Sequence, residues 1–468
     1  MNIKQLRQTI LGRAIRGQLV SQDPTDEPAS VLLERIRAEK EELIKEKKLK
    51  REKRDSQPIE EVPFEIPEGW VWCRLGDIAQ SNIGLTYSPN NVSINGTPVL
   101  RSNNIKDDKL LLNDLVRVSG DIQEKNYIKE GDILICARNG SRNLLGKSTI
   151  INNLEEPMTF GAFMAICRSL YNHWIFQTLR TDYFQRYLDF SNSTAINQIT
   201  QSMLLEFPIP LPPLKEQHRI VQKIEQLFAL VDIIEVNKKA LEKLIEQAKS
   251  QVLSDAVAGK LTHQDPNDEP AEELLKRIGK TTAPDTPYEK MLPKGWAWCK
   301  LGDIGIINPK NNLNDELEVS FIPMALISEG FSNAYTYEVK KWKNIKKGYT
   351  HFCNEDIGIA KITPCFENRK SVIFNNLKNG VGAGTTELYI LRSNKTLSFN
   401  KYIFYFVKTQ EFINNGIKGF TGAVGQQRVS KDFIENTLIP LPPLKEQPRI
   451  VQKIESYFTF LDVIRNNL

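Results

Sequence analysis

The sequence predicts a mixed α/β protein: two homologous α/β domains separated by a pair of long antiparallel coiled-coil helices, built as a circularly permuted tandem repeat with pseudo-two-fold symmetry. Three observations predict it. Blocks of sequence recur at a period of about 230–240 residues. A heptad seam runs through one of the repeated segments. Between the repeats the composition shifts to Asn, Gly, Ser and β-branched residues with short strand-like runs.

The repeats come first. IPEGWVWCRLGDI at 66–78 returns as LPKGWAWCKLGDI at 292–304, PLPPLKEQHRIVQKIE at 210–225 as PLPPLKEQPRIVQKIE at 440–455, and QDPTDEPA at 22–29 as QDPNDEPA at 264–271. In mid-chain the PLPPLKEQ block runs on into the QDPNDEPA block. The C-terminal copy stops at Leu468, and its missing half stands at residues 1–29. A permuted repeat of this kind requires the two termini to meet in space.

Taken in order, the chain divides into five segments. Residues 1–57 form an N-terminal helical segment, 58–209 a first α/β domain, 210–286 a central segment with a long helix, 287–439 a second α/β domain, and 440–468 a C-terminal helix that pairs with the N-terminal segment. In the central segment Ile220, Ile224, Leu227, Val231, Ile234, Leu241, Ile245, Ala248 and Val252 fall at alternating spacings of four and three, broken by Lys238. A helix over about 216–258 would be about 64 Å long. The other copy continues the seam through Ile450, Ile454, Leu461 and Ile464 and resumes it at Ile3, Leu6 and Ile10. The α/β domains carry strand-like runs at 132–135 and 387–391 and helical patches at 174–190 and 402–412. Trp70, Trp72, Trp296 and Trp298 read as core aromatics anchoring each domain's first strand. The charge run at 39–54 reads as a solvated helix or tether.

Composition excludes several classes. With 40% apolar and 25% charged residues in 468, the chain has enough apolar content to fold and length for more than one core. No stretch of about 18 apolar residues offers a membrane span, and the N-terminus lacks a signal-peptide pattern, which predicts a cytoplasmic location. Six cysteines without a CxxC pair and four scattered histidines argue against a disulfide framework and a metal site. GSRNLLGKS at 140–148 is one residue too long between its glycines for a phosphate loop. GVGAG at 380–384 reads as a tight strand turn, because no long helix follows it. An Asn- or Asp-Pro-Pro-aromatic tetrad, HExxH and GxSxG are all absent. The chain has no recognisable catalytic residues and no cofactor motif of its own.

The loops of the two domains do hold side chains suited to DNA. The first has Arg101, Asn103, Asn104, Arg138, Asn139, Arg142 and Lys147; the second has Lys310, Asn311, Asn312, Lys361, Asn368, Arg369, Lys370, Gln426, Gln427 and Arg428. Arg and Lys match guanine O6 and N7, Asn and Gln match adenine N6 and N7, and all four reach phosphates. Residues 66–207 hold 13 basic and 14 acidic side chains, against 19 and 13 for 292–440. The first domain is near neutral and the second basic, so the first would be a poor DNA binder alone.

The repeated PLPPLKEQxRIVQKIE and PxGWxWxxLGDI blocks, with their circular order, resemble the specificity subunit of type I restriction–modification enzymes over essentially the whole chain. KITPCFENRK at 361–370 is similar to a segment of one class of its recognition domains, with Arg369 where many relatives have Gly. The resemblance implies two target-recognition domains, each reading half of a split DNA sequence, held apart by the helices. It also implies double-stranded DNA, two methyltransferase subunits and two ATP-dependent restriction subunits as partners. The chemistry, with S-adenosylmethionine, ATP and Mg, would belong to those partners. A stand-alone bipartite DNA-binding protein is the alternative.

Overall fold

The computed structural model describes residues 2–47, 59, 62–191, 198–282, 292–423 and 425–468. The chain forms two compact units, Met1–Asn237 and Lys238–Leu468. Each holds a full set of the repeated blocks in one order: helix, QDP turn, GWxW strand, α/β domain, PLPPLKEQ strand and a second helix. This in-line order and the permuted order are the same repeat cut at different points, because the joint between units falls inside one long helix.

In the first unit helix α1 (Ile3–Ala14) lies antiparallel to the opening half of helix α2 (Leu214–Val257). Arg7 near the start of α1 pairs with Asp232 and stacks on Phe228 with 5.2 Å to the ring centroid, while Gln22 beyond its end reaches Glu216 at 3.1 Å. Ile10, Leu11 and Ala14 share a core with Ile220, Ile224 and Val231. Each of these Ile, Leu and Val side chains, fully buried, contributes about 1.5–3 kcal/mol. The seam thins beyond this point, where Ile234 is 39% exposed, contrary to the heptad reading. In the second unit helix α3 (Glu446–Asn466) lies antiparallel to the later half of α2, with Lys249 to Asp462 at 2.6 Å and Arg465 paired to Glu246. Ile450, Ile454 and Phe458 pack there with Leu253 and Ala256.

The repeated blocks knit together at the mouth of each α/β domain. Val71–Arg74 pairs antiparallel with Pro208–Leu211, and Ala297–Lys300 with Leu438–Leu441. A two-stranded ladder tolerates prolines because each strand keeps a free edge. Buried Glu216 accepts Trp70 Nε1 at 3.0 Å and Gln22 Nε2 at 3.1 Å. Its counterpart Glu446 accepts Trp296 Nε1 at 2.9 Å, Thr262 Oγ1 at 3.0 Å and Gln264 Nε2 at 3.3 Å. The next residue satisfies the proline turn, Gln217 Nε2 donating to Pro212 O at 2.9 Å and Gln447 Nε2 to Pro442 O at 3.1 Å. Arg219 binds Asp26 at 2.6 Å and Arg449 binds Asp268 at 2.5 Å, which ties the QDP block to the same helix start. Gly17 (φ +65°) and Gly259 (φ +68°) end their helices beneath Pro67 and Pro293, where a Cβ would sit 2.3 and 2.2 Å from the proline ring. Only glycine meets both demands.

Beyond the mouth, each unit builds a four-stranded antiparallel sheet. The first orders Gln80–Ile83, Met164–Arg168, Ile133–Cys136 and Ser148–Ile150, and the second Gly305–Ile307, Leu388–Ser393, Ile357–Ala360 and Ser371–Ile373. Two short helices cover each, Asn172–Leu179 with Asp182–Ser191 and Asn400–Val407 with Gln410–Lys418. Trp174 Nε1 donates to Pro210 O at 2.8 Å, and Tyr402 Oη to Pro440 O at 2.7 Å, so one carbonyl anchors the helix in both units. Trp70 and Trp296 are buried as expected, whereas Trp72 and Trp298 are half-buried, Trp72 standing edge-on to Phe64 at 4.9 Å. An outer sheet distinguishes the units, with three strands in the first and four in the second.

Three sequence features resolve here. The 140–148 segment passes through one turn of 3-10 helix into a strand, not into the long helix a phosphate loop opens. The glycines of 380–384 divide between two elements: Gly380 (φ +75°) closes a short 3-10 turn, and Val381–Gly384 is a strand so close to its neighbour that a Cβ on Gly384 would lie 2.2 Å from Ile322 O. The charge run enters helix Ala29–Lys45, while 48–54 lie outside the described residues. Among the described residues no helix is long and apolar enough to cross a membrane.

Glu446→Ala should leave the buried Trp296 indole N–H without its acceptor and remove the bonds from Thr262 and Gln264, the latter keeping Gly259 O and Thr262 O. For one unsatisfied buried group, thermal unfolding should show a loss of about 1–3 kcal/mol. Glu446→Gln, which keeps one acceptor oxygen, should lose less. Equal stability of the alanine variant and the parent would contradict the network.

Candidate nucleic-acid interface

In each unit the strand at the centre of the inner sheet ends at a corner where three segments meet. In the first, Ala137 N and Arg138 N both donate to Phe163 O, at 2.9 and 3.0 Å, and Ile199 N donates to Ala137 O at 2.7 Å. In the second, Lys361 N donates to Glu387 O at 3.0 Å and Val429 N to Lys361 O at 2.9 Å. Arg138 bridges to Gln198, and Ile362 to Arg428. Two of the three bonds of the first corner recur in the second, with the same bridge beside them, and the side chains on that frame differ.

On the first corner Arg138 is exposed, its guanidinium 5.3 Å from the Phe163 ring centroid. Asn139 holds the turn through Ser141 N (2.9 Å) and leans toward Ser102 Oγ at 3.5 Å, and Lys147 Nζ reaches Ser102 O at 3.5 Å. Ser102 belongs to the neighbouring loop, where Arg101 and Asn103 share Asp114 at 3.2 and 2.7 Å. Arg101, Asn103, Arg138, Asn139 and Lys147 therefore sit on two adjoining loops. Arg142 turns away and pairs with Asp189 at 2.8 Å. Asn104 is a correction to the sequence reading: 1% exposed, it accepts Arg101 N and donates to Leu111 O and Asp114 O, so its amide builds the loop and faces no solvent.

On the second corner Lys361, Gln426, Gln427 and Arg428 come together. Lys361 Nζ lies 5.1 Å from the Tyr389 ring centroid, and Thr363 N donates to Gln427 O at 3.0 Å. Arg428 grips Glu387 through Nε and Nη2, both at 2.9 Å, and donates to Gln426 O at 2.9 Å. The hydrogen bonds from Arg428 hold the Glu387 carboxyl below its ordinary pKa. Asn311 is a second correction, since its side chain donates to Phe352 O and accepts from Arg392, inside the sheet framework. Lys310 and Asn312 are exposed beside it, away from any contact with the Lys361 group among the described residues.

Asn368, Arg369 and Lys370 form the turn that closes KITPCFENRK. Asn368 Nδ2 donates to Glu329 at 3.1 Å, Lys370 N to Cys365 O at 3.0 Å, and Arg369 Nε to Lys408 O at 3.0 Å. Arg369 has φ +56°, the left-handed region that explains why glycine suits the position. Beneath the turn, wholly buried Lys408 donates to the carbonyls of Gly330, Ser332 and Arg369 at 2.6, 2.9 and 3.0 Å. Burial, and then the Arg369 charge, pull its ammonium down to about 7. The missed residues are Phe163, Glu387 and Lys408. Aligning the two halves strand by strand would have paired Phe163 with Glu387, whereas nothing in the sequence marks Lys408 as buried. Among the described residues no group of three or more His, Cys, Asp or Glu gathers as a metal ion would need.

Arg369→Gly should keep stability within about 1 kcal/mol of the parent, relief of the left-handed strain offsetting the lost bonds that its guanidinium donates to Lys408 O and to the Gln410 side-chain oxygen. Arg369→Val, β-branched at positive φ, should cost about 1–3 kcal/mol. Chemical denaturation of both variants checks this, and a valine variant as stable as the glycine one would contradict the reading.

The family model described as "Type I restriction modification DNA specificity domain" matches residues 67–243 and again 293–468, once in each half. The EcoAI specificity subunit of a type I restriction enzyme from Escherichia coli is 46% identical over 238 residues, 47% of this chain and 40% of that protein. The EcoKI specificity subunit from Escherichia coli strain K12 is 25% identical over 417 residues, covering 86% of this chain and 85% of that protein. The chain thus spans about two fifths of the length of the EcoAI subunit, and most of the EcoKI subunit at lower identity. Two solved chains share the fold. One comes from a study of complex assembly in a type I R-M system (TM-score 0.61, 18% identity, 86% of this chain and 94% of that one), the other is the HsdS subunit from Thermoanaerobacter tengcongensis (TM-score 0.52, 18%, 86% and 93%). With both halves matched over most of its length, the chain belongs to the type I restriction–modification DNA specificity family.

Proposed function

We propose that this chain is the DNA-reading subunit of a type I restriction–modification complex, with each α/β domain reading one half of a bipartite target. The observation that carries the reading is the double family match, one in each half, each including a corner with two backbone hydrogen bonds in common and different side chains. Arg138, Asn139, Lys147, Arg101 and Asn103 are the candidates of the first domain, with Arg142 at its margin. Lys361, Gln426, Gln427 and Arg428 are those of the second, with Asn368, Arg369, Lys370, Lys310 and Asn312 as phosphate or flanking contacts. Guanidinium and amide groups on a rigid corner can pair with base edges in the major groove, while lysines neutralise phosphates.

The reading assigns no chemistry to this chain. Two methyltransferase subunits would supply adenine methylation with S-adenosylmethionine, and two restriction subunits would supply ATP- and Mg-dependent translocation and cleavage. A near-neutral first domain fits this division, because partner subunits can add the positive surface that phosphate binding needs. A stand-alone DNA-binding protein would lack that help.

The purified chain alone should neither methylate nor cut DNA, and mixing it with its methyltransferase partner should create sequence-specific adenine methylation. Methyl transfer by the partner-free chain would overturn the proposal. Arg138→Ala should weaken specific binding by about 1–3 kcal/mol if its guanidinium pairs with a base edge. Measured at two salt concentrations, a mere phosphate contact would instead lower affinity for every sequence alike and reduce the salt dependence.

A further inference from the structure

We infer that Phe163 is a specificity-determining residue of the first domain, making an apolar contact with the methyl group of a thymine in its half-site. This inference rests on the DNA-reading function proposed above. Phe163 is 58% exposed, although its neighbour Met164 is buried. The backbone of the tip is held on both sides. Its own carbonyl takes two hydrogen bonds from Ala137 and Arg138, Met164 N donates to Gly161 O at 2.8 Å, and Leu85 N donates to Phe160 O at 2.7 Å. Gly84 packs so tightly on that segment that a Cβ would lie 2.2 Å from Gly161 O. The Arg138 guanidinium lies over the ring, which places a flat apolar surface beside a donor-rich cation.

A single exposed apolar side chain is ordinary on a protein surface; what singles Phe163 out is its place beneath the Arg138 guanidinium, on the corner that carries the candidate base-reading groups. The partner is chosen by the surroundings. The tip shares its corner with Arg138 and Asn139, next to Lys147, groups that match base edges and phosphates. The one strongly apolar feature among the base edges of the major groove is the thymine methyl. The second domain supplies the control. On the same frame the tip residue is Glu387, whose carboxylate holds Arg428 in a bidentate grip. An apolar tip in one domain and an ion-paired tip in the other is the difference that two readers of unlike half-sites require.

The test uses the full chain assembled with its methyltransferase partner, and measures methylation on a set of targets varied one base pair at a time. Phe163→Ala should relax preference by about tenfold at one base pair of one half-site and leave the other half unchanged. Replacing the thymine at that position by uracil, which removes only the methyl, should reproduce the loss with the parent chain and change nothing with the Phe163→Ala chain. Phe163→Leu, which keeps an apolar tip, should retain most of the preference and covers the case in which the alanine variant fails to fold. If folded variants methylate with the parent's base preferences at every position, or if uracil substitution is neutral for the parent, Phe163 is not a reader. A parent complex that showed no sequence preference at all would instead overturn the DNA-reading function itself.

Discussion

A carboxylate sealed away from water needs hydrogen-bond donors in place of the water it has lost, and Glu216 and Glu446 draw theirs from two other blocks of the chain at once. Each stands at the start of a long helix, accepts the indole N–H of a GWxW tryptophan, and accepts a glutamine from the QDP block. Because an unpaired buried donor or acceptor is costly, the three blocks must close together or not at all. The neighbouring Arg219–Asp26 and Arg449–Asp268 pairs add charge-assisted bonds between the same partners. That knot sets where each helix begins, where the first strand of each domain lies, and which way the inner sheet faces.

Fixing the mouth of each domain leaves its far corner free to differ. Two of the corner's backbone bonds and its bridge recur in both units, but the tip residue is Phe163 in one and Glu387 in the other, and the adjoining position is Gln198 or Arg428. Variation is confined to side chains on a frame that other contacts hold, such as Lys408 beneath the Arg369 turn. A frame of this kind can change what it reads without changing how it folds.

Much of this was legible in the sequence because repeated blocks mark positions where geometry tolerates little change. PLPPLKEQ, PxGWxW and QDPxDEP recur since their Glu, Gln, Trp and Asp side chains bond one another, and the paired helices followed from the heptad spacing of Ile220, Ile224 and Ile450, Ile454. The seam failed at Ile234 because periodicity shows which face could be buried, not whether a partner covers it. Asn104 and Asn311 looked like surface amides and turned out to brace loops, since an Asn that caps backbone groups has no sequence mark distinguishing it from one that faces solvent. Phe163 was missed because a lone aromatic in a strand-rich segment reads as core. Only the fold shows it exposed, next to buried Met164.

The central claim is that one repeated frame carries two independent readers, and exchange of one reader tests it most directly. Residues 80–205 would be replaced by the corresponding segment of a relative with a different target, leaving the Glu216 and Glu446 networks intact, and the methylated sequence of the reconstituted complex determined. The account predicts that one half of the target changes to the donor's and the other half stays as it was. A chimera that folds and methylates but alters both halves together would contradict it.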